Sequence, residues 1–371
     1  MSCTLNNHQM RVFRLMDISP SLQFALTSLT GGPVKVGPCG MSLATLQPQG
    51  DSRLMQRRHM KHKGAINVLI GFLVSGSLVL AAQAQEPLSV QPVSSGVFVH
   101  IAVHEDATAD NRGMIANVGF IIGQRCVAVI DSGGSLAGGR ALRAAIRLQT
   151  DKPVCYVINT HVHPDHIYGN SAFIEDRPRY IGHRNLAAAM RARQVYYAAY
   201  LDRTIGTELA RPSALVFPDQ FVDSVQEIDL GDRKLILQAW PTSHTDNDLT
   251  VFDVQTATLW LGDLLFRERI PTLDGRLAGW LSTMTQLESI PARQVVPGHG
   301  QFSSDWPAVL IPQREYLQRL QKDVRSALKA NRSLQQATDE IGASNRAQWK
   351  LFEESHRHNV TAAFTELEWE D

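Results

Sequence analysis

Cysteine is scarce in this chain, with 4 residues among 371. Structural zinc sites usually rely on several cysteines, so a site of that kind is not expected. The chain also lacks an excess of charge of either sign, because it has 36 Lys and Arg residues and 36 Asp and Glu residues. Apolar residues make up 44% and charged residues 19%, a balance that favours a buried core and little disorder.

Acidic residues are absent from residues 52–85, which start with a basic cluster and continue with the apolar run GAINVLIGFLVSGSLVLAA. Small residues follow at Ala82 and Ala84. This pattern predicts a secretory signal peptide over residues 60–84, cleaved after Ala84, and hence a periplasmic protein. An uncleaved membrane anchor is the alternative, because the apolar run is long for a signal peptide.

A signal peptide lies at the start of a chain, yet 59 residues precede Met60. We therefore interpret residues 1–59 as a non-native or mis-assigned extension, with translation starting at Met55 or Met60. Removing residues 1–84 takes away eight of the 36 basic and two of the 36 acidic residues, which leaves 28 against 34 and a net charge of −6. Without a basic stripe, nucleic acid is not an expected partner; a small-molecule substrate is, and the oligomeric state stays open.

Only Cys126 and Cys155 remain after such a cleavage, and both lie in apolar runs, CVAVID and VCYVINT, that are typical of strands. Neighbouring parallel strands seldom offer disulfide geometry, so two buried thiols are expected. A disulfide is the alternative, because exported proteins meet an oxidising environment.

Short β-rich runs alternate with helical patterns twice along the chain, which indicates an α/β protein with two packed sheets and helices outside. The helix LAGGRALRAAIRLQ and the strand VCYVINT lead directly into the segment HVHPDH. Sites in such folds gather at the carboxyl ends of strands. Beyond residue 305 the pattern is helical, with an apolar face at Leu317, Leu320, Val324 and Leu328.

The segment HVHPDH contains His161, His163, Asp165 and His166. His161 and His163 alternate along an extended segment, so their side chains point the same way. Pro164 suits the start of a helix that carries Asp165 and His166. Histidine and aspartate are the ligands of a catalytic zinc site with an open position. Further candidate ligands follow at later strand ends, at His244, Asp263 and His299.

The motif HVHPDH, followed by His244, GDLLF and PGHG, resembles the metallo-β-lactamase superfamily over roughly residues 95–305. The resemblance implies a four-layer αββα sandwich over residues 85–305, with residues 306–371 as a helical extension packed on the same domain. It implies two zinc ions and assigns their ligands as follows: His161, His163 and His244 to one ion, Asp165, His166 and His299 to the second, and Asp263 to both. Iron and manganese are the alternative metals.

The resemblance also implies a reaction. Two zinc ions sharing a water give hydroxide at neutral pH, and this hydroxide would attack an ester, thioester or amide-like carbonyl. Asp165 and Asp263 are the expected catalytic residues, and Asp131 is expected to support the first histidines, with an ordinary turn aspartate as the alternative. A mononuclear iron sulfur dioxygenase and a non-catalytic binding protein of the same fold stay open.

The segment HTDND is similar to a lactamase motif, so weak β-lactamase activity is a further alternative. However, one lactamase group needs cysteine where Asp263 stands and lysine where this chain has Phe266. Arg267 and Arg269 are interpreted as surface or salt-bridged residues, with binding of an anionic substrate as the alternative.

A finer resemblance covers about residues 88–371, including HEDATADNRGMIANVGFIIG and HNVTAAFTELEWE. These segments are similar to exported zinc metallohydrolases tied to quinoprotein relay systems, whose relatives are associated with sulfur-oxidation clusters. The implied protein is a periplasmic hydrolase with a poorly defined natural substrate. The helical tail is expected to pack outside the sandwich, and the alternative is that it lines the substrate groove.

Overall fold

The structure is a computed structural model, and it describes residues 86–369 of the chain. The predicted extension, residues 1–59, and the predicted signal peptide, residues 60–84, lie outside the described residues. Within residues 86–369, twelve strands form a seven-stranded and a five-stranded sheet. They are β1 Gln91–Ser94, β2 Val97–His100, β3 Val118–Ile122, β4 Val127–Ile130, β5 Val154–Ile158, β6 Arg179–His183, β7 Gln220–Val222, β8 Val225–Asp229, β9 Lys234–Ala239, β10 Leu249–Asp253, β11 Thr258–Phe266 and β12 Gln294–His299.

Eight α-helices lie within residues 86–369. They are α1 Leu136–Gln149, α2 Pro164–Ile167, α3 Leu186–Thr204, α4 Thr207–Ala210, α5 Leu277–Leu287, α6 Ile311–Lys329, α7 Leu334–Glu340 and α8 Phe352–Leu367. Two of them, α2 and α4, are short connections of four residues. Ser135 begins α1 by accepting a hydrogen bond from the backbone N–H of Gly138, as a serine at this position is expected to do. No helix within residues 86–369 combines the length and the apolar character that crossing a bilayer requires.

Three apolar cores define four layers. The two sheets pack on each other through strand residues such as Ile130 and Ile158 from one sheet and Val251 and Trp260 from the other. The outer face of the first sheet is covered by α1, and the outer face of the second by α5, α6 and α8. The predicted αββα sandwich is therefore confirmed.

Strand direction places several loops at one edge of the sandwich. In the first sheet β4, β5 and β6 run parallel, and in the second sheet β11 and β12 run parallel. The carboxyl ends of these strands meet at a common edge, as in other α/β sheets that carry a site there. The strands β1, β6 and β7 were not expected from the sequence, because they are short and have polar neighbours.

The expectation of two buried thiols is wrong, because Cys126 and Cys155 form a disulfide. Their Cα atoms lie 5.8 Å apart, within the range that a disulfide needs. The pairing register shifts between Val127 and Ala128, which pair with Val154 and Tyr156, so that Cys155 is an extra residue in β5. This irregularity brings together two cysteines that regular parallel strands would keep apart.

The C-terminal helices complete the core of the second sheet. On α6, Leu317, Leu320 and Val324 are buried, and Leu328 packs against the same core. On α8, Val360 and Phe364 are buried in that core as well. The helical tail therefore packs on the outside of the sandwich, as expected.

Candidate metal centre

The turn after β5 places the first four candidate ligands. His161 and His163 lie on the extended segment, and Pro164 starts α2, where a proline is tolerated because the first N–H of a helix has no partner within the helix. Asp165 and His166 lie in this single helical turn and are turned toward the same edge.

The other three candidate ligands come from the five-stranded sheet. His244 lies in the loop between β9 and β10, and His299 is the last residue of β12. Asp263 lies inside β11 and not after it, because β11 continues to Phe266 beyond an irregularity at Gly262. A side chain at Gly298 would collide with Asp263, since its Cβ would lie 1.8 Å from Oδ1, so only glycine lets β12 pass this close.

Four side chains meet in what we term the first ligand group: His161, His163, His244 and Asp263. Their ligand atoms all lie within 4.8 Å of one another. Nδ1 of His163 is 3.0 Å from Nε2 of His161 and 3.0 Å from Nε2 of His244. Three ring nitrogens thus surround one point, an arrangement that suits a cation.

In the second ligand group, Asp165, His166 and His299, the ligand atoms also lie within 4.8 Å of one another. Asp263 joins the two groups: its Oδ2 is 3.5 Å from His161 and 3.4 Å from His299, and its Oδ1 is 3.2 Å from His166. The structure therefore brings together all seven candidate ligands, with one carboxylate between the groups.

Each of the five histidines has one ring nitrogen bonded to an acceptor outside the cluster. The outward bonds run from His161 to Thr160 Oγ1, from His163 to Asp274, from His166 to Asp131, from His244 to the Thr272 carbonyl and from His299 to the Ile115 carbonyl, over 2.7 to 3.2 Å. With the outward nitrogens as donors, the inward nitrogens of the neutral rings have lone pairs that can bind a metal ion. Metal-bound histidines typically have such outer partners.

Buried polar atoms without a partner point to the same conclusion. Among the described residues, Nε2 of His166 and Oδ1 of Asp263 are buried and face each other at 3.2 Å, but neither has a well-formed hydrogen bond to any partner. Leaving such atoms unsatisfied costs about 1–3 kcal/mol each. A divalent cation between the groups would satisfy both atoms, so the side chains fit zinc or a similar metal ion.

The two groups differ in proton affinity. Burial lowers the pKa of His161, and the facing His166 lowers it further. Burial lowers the pKa of His244 to about 3, although Asp263 opposes this. Burial also lowers the pKa of His166, but three carboxylates, led by Asp263, outweigh it and hold the pKa well above its usual value.

Asp131 lies behind the cluster, directly after β4. Its backbone adopts the left-handed region, with φ of 54°, which a short polar residue tolerates. Its carboxylate accepts hydrogen bonds from His166, at 2.7 Å, and from the backbone and hydroxyl of Thr160. Asp131 thus contacts His166 directly and reaches His161 only through Thr160.

Asp274 is a partner that sequence reasoning missed. Its Oδ2 lies 3.2 Å from Nε2 of His163 and 3.3 Å from Nη2 of Arg193. Burial raises the pKa of Asp274, but the hydrogen bond from His163 and nearby positive charge lower it far below its usual value. The turn TLDGR gives no sign of this role, because Asp274 lies 111 residues from His163.

The two candidate arginines have different environments. Arg267 donates to the carbonyls of Gln301 and Phe302, so it supports the loop after β12. Arg269 lies near His299, with 3.5 Å between Nη1 and Nδ1, but Nδ1 already donates to the Ile115 carbonyl. Among the described residues Nε of Arg269 is buried without a partner.

A cavity of about 400 Å³ opens beside His163. We term it the tyrosine cavity because Tyr196, Tyr197 and Tyr200 of α3 line it, together with Ser355 and His358 of α8. Three of the 7 tyrosines of the chain fall within QVYYAAY, and this concentration is the sequence signal for the aromatic wall. The tail thus lines a cavity as well as packing on the core.

Comparison with known proteins supports one family. A family model described as the metallo-beta-lactamase superfamily matches residues 111–299, and no curated protein matches the chain. The stereoselective inverting sec-alkylsulfatase Pisa1 from Pseudomonas sp. aligns with a TM-score of 0.60 and 14% identity, over 75% of this chain and 50% of that one. A metallo-beta-lactamase from Pontibacter korlensis aligns with a TM-score of 0.50 and 20% identity, over 62% and 99%.

These structural likenesses show the fold alone, and the chain spans about half the length of the alkylsulfatase. The family model carries more, because it covers just over half of the chain and includes all seven candidate ligands. Motif, sandwich and clustered ligands agree with it, and the chain belongs to the metallo-β-lactamase superfamily.

Proposed function

We propose that the protein is a hydrolase that binds two zinc ions and cleaves an ester, thioester or amide-like bond of a small molecule. The observation that carries this proposal is the orientation of the five histidines, each with its outward nitrogen on an acceptor and its inward nitrogen free for a metal. Export to the periplasm, indicated by residues 60–84, is part of the proposal and rests on the sequence.

The metal centre is open to solvent on one side, from which a substrate can approach. The side chains of His161, His166, His244, His299 and Asp263 are at most 4% exposed. Those of His163 and Asp165 are 18% and 15% exposed. A scissile bond therefore reaches the cluster between His163 and Asp165.

Zinc, when bound here, would supply an activated water and a Lewis acid for the scissile carbonyl. The side chains of the protein hold the ligand groups and position the water. Asp263 holds the two ligand groups together, and Asp165, at the open side, orients the attacking water. Asp131 and Asp274 hold the rings of His166 and His163 in orientation.

Metal content and hydrolysis test this proposal together. We expect about two zinc ions per chain in protein purified from its native compartment, measured by elemental mass spectrometry. A chelator should abolish cleavage of a panel of esters, thioesters, lactams and a secondary alkyl sulfate, and zinc should restore it. A single iron ion, with oxygen-dependent loss of a thiol substrate, would replace the proposal by the dioxygenase alternative; a metal-free, inactive protein would refute both.

A further inference from the structure

Two helices, α3 and α8, contribute most of the wall of the tyrosine cavity, which lies beside His163 of the metal centre. From α3, Tyr196, Tyr197 and Tyr200 contribute aromatic rings; Tyr197 is 5% exposed, whereas Tyr196 is 63% exposed and forms the rim. Aromatic side chains offer large apolar surfaces to a ligand. At about 400 Å³ the cavity falls within the size range of small-molecule sites.

The charges along the cavity are balanced. Arg193 pairs with Asp274, which also accepts a hydrogen bond from His163. His358 uses Nε2 on the carbonyl of Leu273. Away from the metal centre, an ionised ligand group would therefore lose its hydration in the cavity without meeting an unpaired opposite charge, which is costly.

The tyrosine hydroxyls add no charge. Burial raises the pKa of Tyr200 to about 12 and raises that of Tyr197 further. Both side chains are therefore neutral at physiological pH.

The far wall comes from α8, which lies outside the segment matched by the family model. Ser355 and His358 face the cavity, while Val360, Ala363 and Phe364 of the same helix are buried in the core of the second sheet. The wall is thus held by core packing, and its chemistry belongs to the C-terminal extension of this chain.

We propose that the tyrosine cavity binds an uncharged aryl or medium-length alkyl group of the substrate, next to the scissile bond, and that α3 and α8 thereby select the substrate. This inference rests on the proposed hydrolase function. The expected substrates are neutral, apolar esters or thioesters and not small or anionic ones.

Two matched substrate series test the proposal on the zinc-loaded protein. Acetyl, phenylacetyl and succinyl thioesters of N-acetylcysteamine vary the acyl side, and the ethyl, benzyl and carboxymethyl esters of acetic acid vary the alcohol side. In one of the two series, we expect kcat/KM for the aryl member to exceed that of the small and the anionic member by about tenfold or more. Equal rates, or a preference for the anionic member in both series, would overturn the proposal.

Variants of one rim residue and of its neighbour provide the control. Tyr196→Ala should reduce kcat/KM for the aryl substrate by about tenfold, mainly through KM, and for the small substrate by less than about twofold. Tyr196→Phe keeps the ring and should retain the preference. Val195→Ala alters a side chain that is 84% exposed on the same helix and should change nothing. An equal loss for both substrates in Tyr196→Ala would contradict selection by the cavity.

Binding of phenylacetamide separates this inference from the proposed function. This neutral amide should bind more tightly than acetamide or phenylacetate in calorimetry, and Tyr196→Ala should weaken it. If no ester is cleaved but phenylacetamide binds in this way, the hydrolase proposal fails and the cavity's preference stands. If esters are cleaved but phenylacetamide does not bind and the aryl preference is absent, the cavity inference fails alone.

Discussion

The first and second ligand groups differ in the charge that surrounds their histidines. In the first group, burial dominates, so the pKa values of His161 and His244 lie below the usual value. In the second group, Asp131, Asp165 and Asp263 surround His166 and raise its pKa despite complete burial. The short segment from His161 to His166 thus contributes to the two groups histidines whose pKa values are shifted in opposite directions, and the groups should bind metal with different dependence on pH.

Removal of Asp263 should affect both ligand groups at once, because this carboxylate contacts histidines of both groups. In Asp263→Ala, we expect the zinc content to fall from about two ions to one or fewer, and kcat/KM to fall more than about 100-fold, beyond the usual effect of changing an outer partner. Elemental analysis and ester hydrolysis measure the two effects. Retention of two zinc ions in a folded variant would show that Asp263 is not the shared ligand.

Acidification should separate the two groups. A proton on His166 competes with the metal, so affinity at the second group falls as the pH drops below the raised pKa of His166. His161 and His244 have lowered pKa values and stay neutral, so the first group should keep its metal to more acidic pH.

Dialysis at steps from about pH 8 to about pH 4, followed by elemental analysis, should therefore show a plateau near one zinc ion per chain. The same steps on His299→Ala, which removes a ligand of the second group only, should show a single loss at the lower pH. Simultaneous release of both ions from the unaltered protein would refute the difference between the groups.

The outer carboxylates allow a finer comparison. The Asp131 side chain is 3% exposed and lies 2.7 Å from His166, whereas the Asp274 side chain is 32% exposed and lies 3.2 Å from His163. Loss of such partners typically costs about 10–100-fold in metal affinity or activity. We expect Asp131→Asn to lie near the upper end of that range and Asp274→Asn near the lower end, measured as zinc affinity in chelator competition. The reverse order would show that burial does not set the importance of these partners.

The parts of the structure that the sequence predicted are those with local signals. The strand and helix patterns predicted two packed sheets with helices outside, and the family resemblance implied the αββα sandwich. The segment HVHPDH with three later residues predicted seven side chains that the fold brings together. Asp274 was missed, the cysteine pair was wrongly predicted, and the far wall of the tyrosine cavity was only the alternative role of the helical tail. Each depends on packing between distant segments or on an irregular strand register, which no local pattern encodes.

The disulfide, finally, should affect stability and leave the metal centre unchanged. Cys126 and Cys155 join β4 to β5 across 29 residues, at the opposite end of these strands from Asp131 and His161. A cross-link of this span restricts the unfolded chain and contributes about 2–4 kcal/mol, so the Cys126→Ala, Cys155→Ala double variant should unfold at a lower temperature or denaturant concentration. Its zinc content and kcat/KM at 25 °C should match those of the parent, because no ligand or outer partner changes. A loss of one zinc ion would instead mean that the disulfide maintains the register of β4 and β5 on which the contact between Asp131 and His166 depends.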